Sequence, residues 1–592
     1  MWSKAELFET LAARVSCRLE PPDMSFCQLA ETPWGKSQLD TLRRQGEEWL
    51  SQPTPELSYQ LFAEYARSGD RSRFQRPYFD RRGRLLTFAL LCRLQPDDRW
   101  KRALEDILWA ICSEPFWCIP AHFLDTDEQP LPFDAWETCL DLFACETGFA
   151  LAETLVLCRD LLDETVKAQV HAQIERRILT PFCRAEQIHR FESMHNNWCA
   201  VCAGAIGGTA IHLVSDRARL AEILCRCLST MQTYLDSFGE DGVCTEGVGY
   251  WTYGFGFFTC FADLLSERTQ GSCNLFSLPK VKAIALCQQH YFLSEGCTVS
   301  FADGSMAGGY RMGLSCRLQE IYPECAIPSP ACADDLLRDS CYRFCLGLRD
   351  FIWYRPGARF GLPARRSVWL ADAQWLISAS SSLCLAAKAG NNGESHNHND
   401  CGSFLVCREG EQLLCDFGAC LYDALSFGPL RYERFVHASR SHNVAMPAEC
   451  QQAPGSAYRA QEVLAECGQQ DRLSMELSGC YECPSLNRYH RSICHDVPAK
   501  QIIVRDALDF SSPETCTEVF VSPYPITLED GRAVFASPHA KLELTFPDSL
   551  SAKLLTETYL AHNSGEETTA YLLHLDAEKA LCHEYTFVIR GI

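Results

Sequence analysis

The densest cluster of chemically capable side chains is GNNGESHNHNDCGSF, residues 390–404. His396 and His398 stand two apart, so on an extended strand both side chains lie on one face, a few ångströms from each other. Asp416 follows in LLCDFG and His442 further on in SRSHNV. Two imidazoles and a carboxylate from neighbouring strands would give three protein ligands for zinc. The alternative is a set of satisfied polar residues at a sheet edge.

The N-terminal half carries two further polar segments. MHNNWCAVCAGAIGG (194–208) places His195, Asn196, Asn197 and Trp198 ahead of Ala203, Gly204 and Gly207, small residues that allow close backbone approach. DGVCTEGVGYWTYGFGFF (241–258) presents Glu246, Tyr250, Trp251 and Tyr253 among glycines. Trp198 and Trp251 read either as packing or as platforms for a sugar ring. Arg431, Arg434 and Arg440 cluster between the candidate metal ligands, and Arg311 follows a glycine-rich loop. Arginine suits bidentate contact with carboxylate or sulfate, although a solvated loop face explains such a cluster equally well. Cys480 and Cys483 form a CxxC with Cys494 and His495 downstream, which in so cysteine-rich a chain reads as coincidence. No GxGxxG, Walker loop or GxSxG occurs, so nucleotide and serine-hydrolase chemistry have no support.

These residues need elements to hold them. From about residue 38 to 345 the apolar residues recur at helical spacing. Leu104, Ile107, Leu108 and Ile111 fall on one stripe, as do Ile223, Leu224, Leu228, Met231 and Leu235. Similar patterns run through 139–163, 164–179, 254–266 and 279–293, on the order of ten helices in all. After residue 345 the period becomes two: SVWLADAQWLISAS, CGSFLVCREGEQLLCDFG and QIIVRDALDF read as strands, and Asp530-Gly531 as a hairpin turn. Helices followed by strands give an α+β multidomain chain rather than an interleaved sheet. The expected division is 1–345 for an N-terminal helical domain, a bundle or an (α/α) toroid, and 346–592 for a C-terminal antiparallel β-sandwich.

The 592 residues carry 54 basic and 76 acidic side chains, a formal charge of −22. That length allows about four domains or two large ones. The acidic balance, with a pI near 5.2, argues against nucleic-acid or anionic-membrane binding, both of which need a basic face. A polyanionic substrate would require positive charge gathered in one cleft. The opening MWSKAELFETLAARVS is amphipathic and lacks an apolar signal core, and no run of about 18 apolar residues occurs. The 35 cysteines therefore read as reduced, buried thiols, and the expected location is cytoplasmic.

Taken together, HNNWCAVCAG, DGVCTEGVGYWTYG, GESHNHNDCGSF, LLCDFG and SRSHNV, in this order over residues 190–450, resemble the heparinase II/III-like polysaccharide lyases. The resemblance implies a toroid packed on a sandwich with the cleft between them. It also implies β-elimination on uronic-acid glycans, glycosaminoglycans first and alginate next. It places the family's asparagine on Asn197, with Asn196 the alternative, and its tyrosine on Tyr250, with Tyr253 the alternative. The first His of the HxH falls on His396 as a catalytic group. His398 falls on a metal ligand with Asp416 and His442, and the expected ion is a structural divalent cation, zinc. Several members carry a His where this chain has Trp198, and His195 stands just before the asparagine pair. His195, Trp198, Glu246, Trp251 and the four arginines are the candidate substrate contacts.

Elimination removes the proton at C5, alpha to a carboxylate, and expels the oxygen at C4. A neutral donor such as Asn197 would stabilise the charge that grows on the carboxylate. His396 can serve as base and Tyr250 as acid, or Tyr250 can do both where the two groups share one face of the sugar. The other readings are a uronate C5-epimerase, a cupin-type metal enzyme, and a non-catalytic carbohydrate-binding protein. The cupin-type reading leaves Asn197 and Tyr250, in the helical half, without a role, whereas an epimerase keeps the same proton abstraction and returns the proton. A homo-oligomer is compatible with the sequence.

Overall fold

The computed structural model describes residues 2–11, 32–184, 187–423, 425–426, 428, 430–529, 531–562 and 564–592. Helices fill the N-terminal part up to Phe344–Ile352, and strands dominate from Arg366 onward. That last helix crosses the expected division at 345 and belongs to the helical core through Leu346, Leu348 and Phe351.

The helical stripes are buried as their spacing requires. Leu104, Ile107, Leu108 and Ile111 line the inner face of Asp98–Cys112, whose first turn is capped by the Asp97 carboxylate. Ile223, Leu224, Leu228, Met231 and Leu235 do the same on Arg217–Asp236. At the centre lies helix Asn197–Leu213, in contact with Leu142–Leu157, Arg217–Asp236 and Val248–Arg268. Its small residues decide this packing. A Cβ on Gly207 would sit 2.4 Å from the Phe261 ring, and one on Gly208 would sit 2.5 Å from Phe149.

Among the described residues the strand half holds two large antiparallel sheets and a two-stranded pairing of Asn391–Asn392 with Gly455–Arg459. The smaller orders Arg366–Leu370, Trp375–Ala379, Cys384–Lys388, Phe404–Arg408 and Glu411–Leu414 as neighbours. Leu376, Leu385, Ala387 and Phe404 share a core with Ile493, Val504, Phe520 and Phe587 of the ten-stranded sheet. The alternate residues Trp375, Ile377, Ala386 and Leu405 enter the helical core instead. The small sheet is thus buried on both faces, which is why its strands read as unbroken apolar runs. Strands Ile526–Glu529 and Arg532–Ala536 pair with Glu529 opposite Arg532; Asp530 of the expected turn lies outside the described residues.

Because the small sheet sits between the helices and the large sheet, loops leaving its strands reach the helical half directly. The segment 389–403 and the segment after Leu414 are those loops, and they carry the HxH, Asp416 and His442.

Candidate active site and metal centre

Three loops meet backbone to backbone to build the site. A Cβ on Gly247, which holds φ +104, would lie 2.9 Å from the Cα of Gly304. One on Gly418 (φ +65) would lie 1.9 Å from the Gly304 carbonyl oxygen. Only glycine permits these approaches. They bring together the start of the tyrosine helix Val248–Arg268, the loop bearing Asp303 and the loop bearing Asp416.

Asp303, which sequence reasoning missed, is the centre of the arrangement. Its buried carboxylate accepts from His396 Nδ1 through Oδ2 and from the Tyr422 hydroxyl at 2.6 Å. Its other oxygen accepts from His398 Nε2 at 3.1 Å and from an Arg431 NH2 at 3.0 Å. Burial alone would raise its pKa, but the hydrogen bonds and charge of His396, with those of His398 and His437, hold it well below the usual carboxylate range. The local signal, an aspartate in the glycine-rich FADGSMAGGY, names no chemistry by itself.

His396 occupies left-handed backbone, φ +56, a conformation a non-glycine side chain adopts only where its surroundings impose it. Its ring lies 4.2 Å from the Tyr250 ring, centroid to centroid. The Tyr250 hydroxyl meets that of Tyr422 at 2.9 Å, so Tyr250, Tyr422, Asp303 and His396 form one connected chain. Burial, then the Asp303 charge, raises the pKa of Tyr250 far above the ordinary phenol value, so this hydroxyl keeps its proton. With Nδ1 directed at Asp303, His396 turns Nε2 toward Glu246 Oε2, 3.4 Å away. Asn197 donates its side-chain N–H to the same oxygen at 2.9 Å. Burial raises the Glu246 pKa against the opposing charge of His396.

His398, Asp416 and His442 are fully buried and converge beside this cluster. His398 Nδ1 lies 3.5 Å and His442 Nδ1 3.1 Å from the Asp416 carboxylate. Yet His398 Nδ1, Asp416 Oδ2 and both ring nitrogens of His442 make no hydrogen bond. Ligands about 2.0–2.1 Å from a tetrahedral zinc stand about 3.3 Å apart, so the spacing fits a cation. A second grouping, Asp303, His398 and His437, also converges. It is the poorer cation site, because Arg431 donates to the same Asp303 oxygen.

Other candidates fall elsewhere. Asn196 caps its helix, accepting from Trp198 N at 3.0 Å, so the catalytic role considered for it passes to Asn197. Tyr253 bonds Glu146 beneath the Arg343 guanidinium, away from the Asp303 chain. Trp251 offers no platform: it is fully buried, donating to Ile284 O at 2.8 Å. Arg311 is buried against Asp350 and cannot meet substrate. Arg431 is spent on Asp303 and the carbonyls of His396, Asn397 and Ser426. Arg434 pairs with Asp423, and Arg440 donates to the Glu433 carbonyl. His195 is exposed. Trp198 is half-buried, its ring 4.9 Å from His122. Among the described residues, Cys480, Cys483, Cys494 and His495 form no metal-binding group.

The arrangement defines a class before any comparison: a toroid-and-sandwich protein with a Tyr–Tyr–Asp–His chain and an Asn–Glu pair at the junction. Residues 362–578 match the family described as Heparinase II/III-like, C-terminal. No curated protein sequence matches the chain. Among solved structures, heparinase III is similar with a TM-score of 0.66 at 14% identity, over 100% of this chain and 89% of that one. Heparan sulfate lyase HepC from Pedobacter heparinus gives 0.60 at 14% identity, over 99% and 87%. A chondroitin AC lyase from Streptomyces coelicolor A3 gives 0.55 at 10% identity, over 99% and 82%. These likenesses establish the fold as an N-terminal (α/α) toroid followed by an antiparallel β-sandwich.

Proposed function

We propose that the protein is a polysaccharide lyase that cleaves uronic-acid glycans by β-elimination. The observation that carries this reading is the junction of the two halves, where Tyr250 and Asn197 from the toroid meet His396 from the sandwich. The similar folds named in their own right as heparan sulfate and chondroitin lyases support it. Glycosaminoglycans are the first substrate class and alginate the second.

In the proposed reaction His396 Nε2 takes the C5 proton, its Nδ1–H meanwhile donating to Asp303, which stabilises the imidazolium that forms. The electron pair left at C5 becomes the C4–C5 double bond as the C4–O bond breaks. Tyr250, kept protonated by burial, gives its proton to the departing oxygen. Tyr422 and Asp303 hold the Tyr250 hydroxyl in place. Asn197, with Glu246 beside it, faces the uronate carboxylate and stabilises its growing charge. This division gives the base role to His396, because the Tyr250 hydroxyl keeps its proton and leaves no phenolate to accept one.

His398, Asp416 and His442 would hold a zinc ion that ties the HxH loop to the strands behind it and supplies rigidity rather than a reaction step. The described cysteines are all free thiols, most of them buried, which supports a reducing, cytoplasmic setting and imported oligosaccharides as substrate. No helix among the described residues is long and apolar enough to cross a membrane.

The test is far-ultraviolet absorbance over time with heparan, heparin, chondroitin, dermatan, hyaluronan and alginate, each as polymer and oligosaccharide. A rise with one of them establishes elimination and names the substrate. A folded, zinc-loaded protein that raises none, yet exchanges deuterium at C5, is an epimerase.

A further inference from the structure

A second cluster lies on the toroid side of the junction, outside the Asp303 chain. Helix Ser72–Leu94 begins directly after Arg71. The preceding residue, Asp70, forms an antiparallel bridge with Asp423, the neighbour of Tyr422, so residues 70–71 cross to the tyrosine loop. An Arg71 NH2 meets His122 Nε2 at 3.1 Å, and His122 Nδ1 lies 2.9 Å from Asp141 Oδ2. Asp141 is itself fixed, since its other oxygen accepts from Ala144 N at 2.7 Å at the start of helix Leu142–Leu157. The carboxylate holds the Nδ1 proton, leaving Nε2 as the acceptor for arginine. Burial pushes the His122 pKa down against the Asp141 hydrogen bond, so the ring stays neutral.

Arg71 is thereby oriented without being neutralised. Among the described residues it has no carboxylate at ion-pair distance, although the chain carries a charge of −22 and pairs most of its buried arginines with acids. The Asp70–Asp423 bridge sets it beside the loop of Tyr422, whose hydroxyl meets that of Tyr250 at 2.9 Å and whose ring stands 4.2 Å from that of His562. Trp198 flanks the same His122 ring and adds an aromatic wall. A half-buried guanidinium beside an acid–base pair, with N–H groups to spare, matches an oxyanion.

We propose that Arg71, oriented by the His122–Asp141 pair, binds a sulfate or carboxylate of the glycan unit held beside Tyr250. This deepens the lyase reading and rests on it for the identity of the substrate. Such a contact explains how an acidic protein accepts a polyanion at this point without a broad basic face.

The experiment compares wild type, Arg71→Ala and Arg71→Lys on three forms of whichever oligosaccharide the wild type cleaves: native, desulfated, and with the carboxyl of the non-reacting uronate reduced. Affinity for the same three forms is measured in a Tyr250→Phe background. On the native form, kcat/KM and affinity for Arg71→Ala are expected to fall about tenfold to a hundredfold, the worth of a charge-assisted hydrogen bond. Arg71→Lys recovers part of the loss, and melting temperatures stay together. If the penalty vanishes on the desulfated form, the bound oxyanion is a sulfate. If it vanishes only on the carboxyl-reduced form, the oxyanion is the neighbouring carboxylate. An equal penalty on all three forms, or none on the native one, overturns the proposal. A wild type that binds these glycans through Arg71 but never forms the double bond would overturn the lyase reading and leave the anion site standing.

Discussion

His396 and Asp303 come from opposite halves of the chain, yet the Asp303 carboxylate receives the Nδ1 proton of His396. The same carboxylate receives the Tyr422 hydroxyl and, on its other oxygen, His398 and Arg431. One buried acid therefore fixes the histidine proposed as base, the tyrosine that supports the proposed acid and a proposed metal ligand at once. The proton-transfer groups are positioned by a residue that need not touch the substrate.

Replacing that acid by its amide, Asp303→Asn, is expected to lower kcat by about a hundredfold or more, since the imidazolium loses its counter-charge. It also leaves Arg431 buried without its anion, for a cost of about 3 kcal/mol. Steady-state kinetics and urea unfolding measure the two effects separately. A variant with wild-type kcat would show that the carboxylate only supports the fold.

Metal removal should act on stability. Elemental analysis is expected to give one zinc per chain, and His442→Ala to abolish it. Chelation should lower the melting temperature, with recovery on adding zinc, because ligand binding to the native state alone adds to its stability. A melting temperature that stays at the zinc-loaded value once chelation has demonstrably removed the zinc contradicts the site.

Glu146 sets a pH dependence unrelated to the reaction. Burial pushes its pKa up to about 7, only partly opposed by Arg343 and the Tyr253 hydrogen bond, from an ordinary value of 4.5. A folded value above the unfolded one means stability is fully present below about pH 4.5 and lost as pH rises through about 7. The loss approaches about 3 kcal/mol, at 1.36 kcal/mol per pH unit. Glu146→Gln keeps an acceptor for Tyr253 and should flatten the fall in melting temperature between pH 5 and pH 8, ~3 units that bracket the titration. Parallel curves for the two proteins would contradict this.

Gly207→Ala probes the helix packing that sets Asn197. The added Cβ would stand 2.4 Å from the Phe261 ring, so the helices must separate. A loss of about 1–3 kcal/mol is expected from chemical denaturation. Unchanged stability would mean that the contact relaxes freely.

Much of the architecture was legible because it is written in periodicity. The stripe of Leu104, Ile107, Leu108 and Ile111 can bury itself only as a helix, and the apolar runs of the small sheet mark strands covered on both faces. The site was legible where residue type and spacing coincide, as in His396, His398, Asp416 and His442. It was not legible where the role depends on which way a side chain turns. Trp251 and Tyr253 stand one and three residues beyond Tyr250 in a helix, and the helical turn carries them into the core and toward Glu146. Arg311 and Arg431 look like anion receptors by type but meet Asp350 and Asp303. Asp303, Tyr422 and Arg71 carry no motif; only the meeting of distant loops gives them partners.

The central claim is that His396 and Tyr250 divide the proton transfers of an elimination. Its most direct measurement is far-ultraviolet absorbance with the best substrate of the panel for wild type, Tyr250→Phe and His396→Gln, with affinity measured in parallel. The account predicts double-bond formation by wild type, losses of about a hundredfold to ten-thousandfold in each variant, and affinity changed only a few-fold. Turnover that survives in either variant, or that falls only as far as affinity falls, would contradict it.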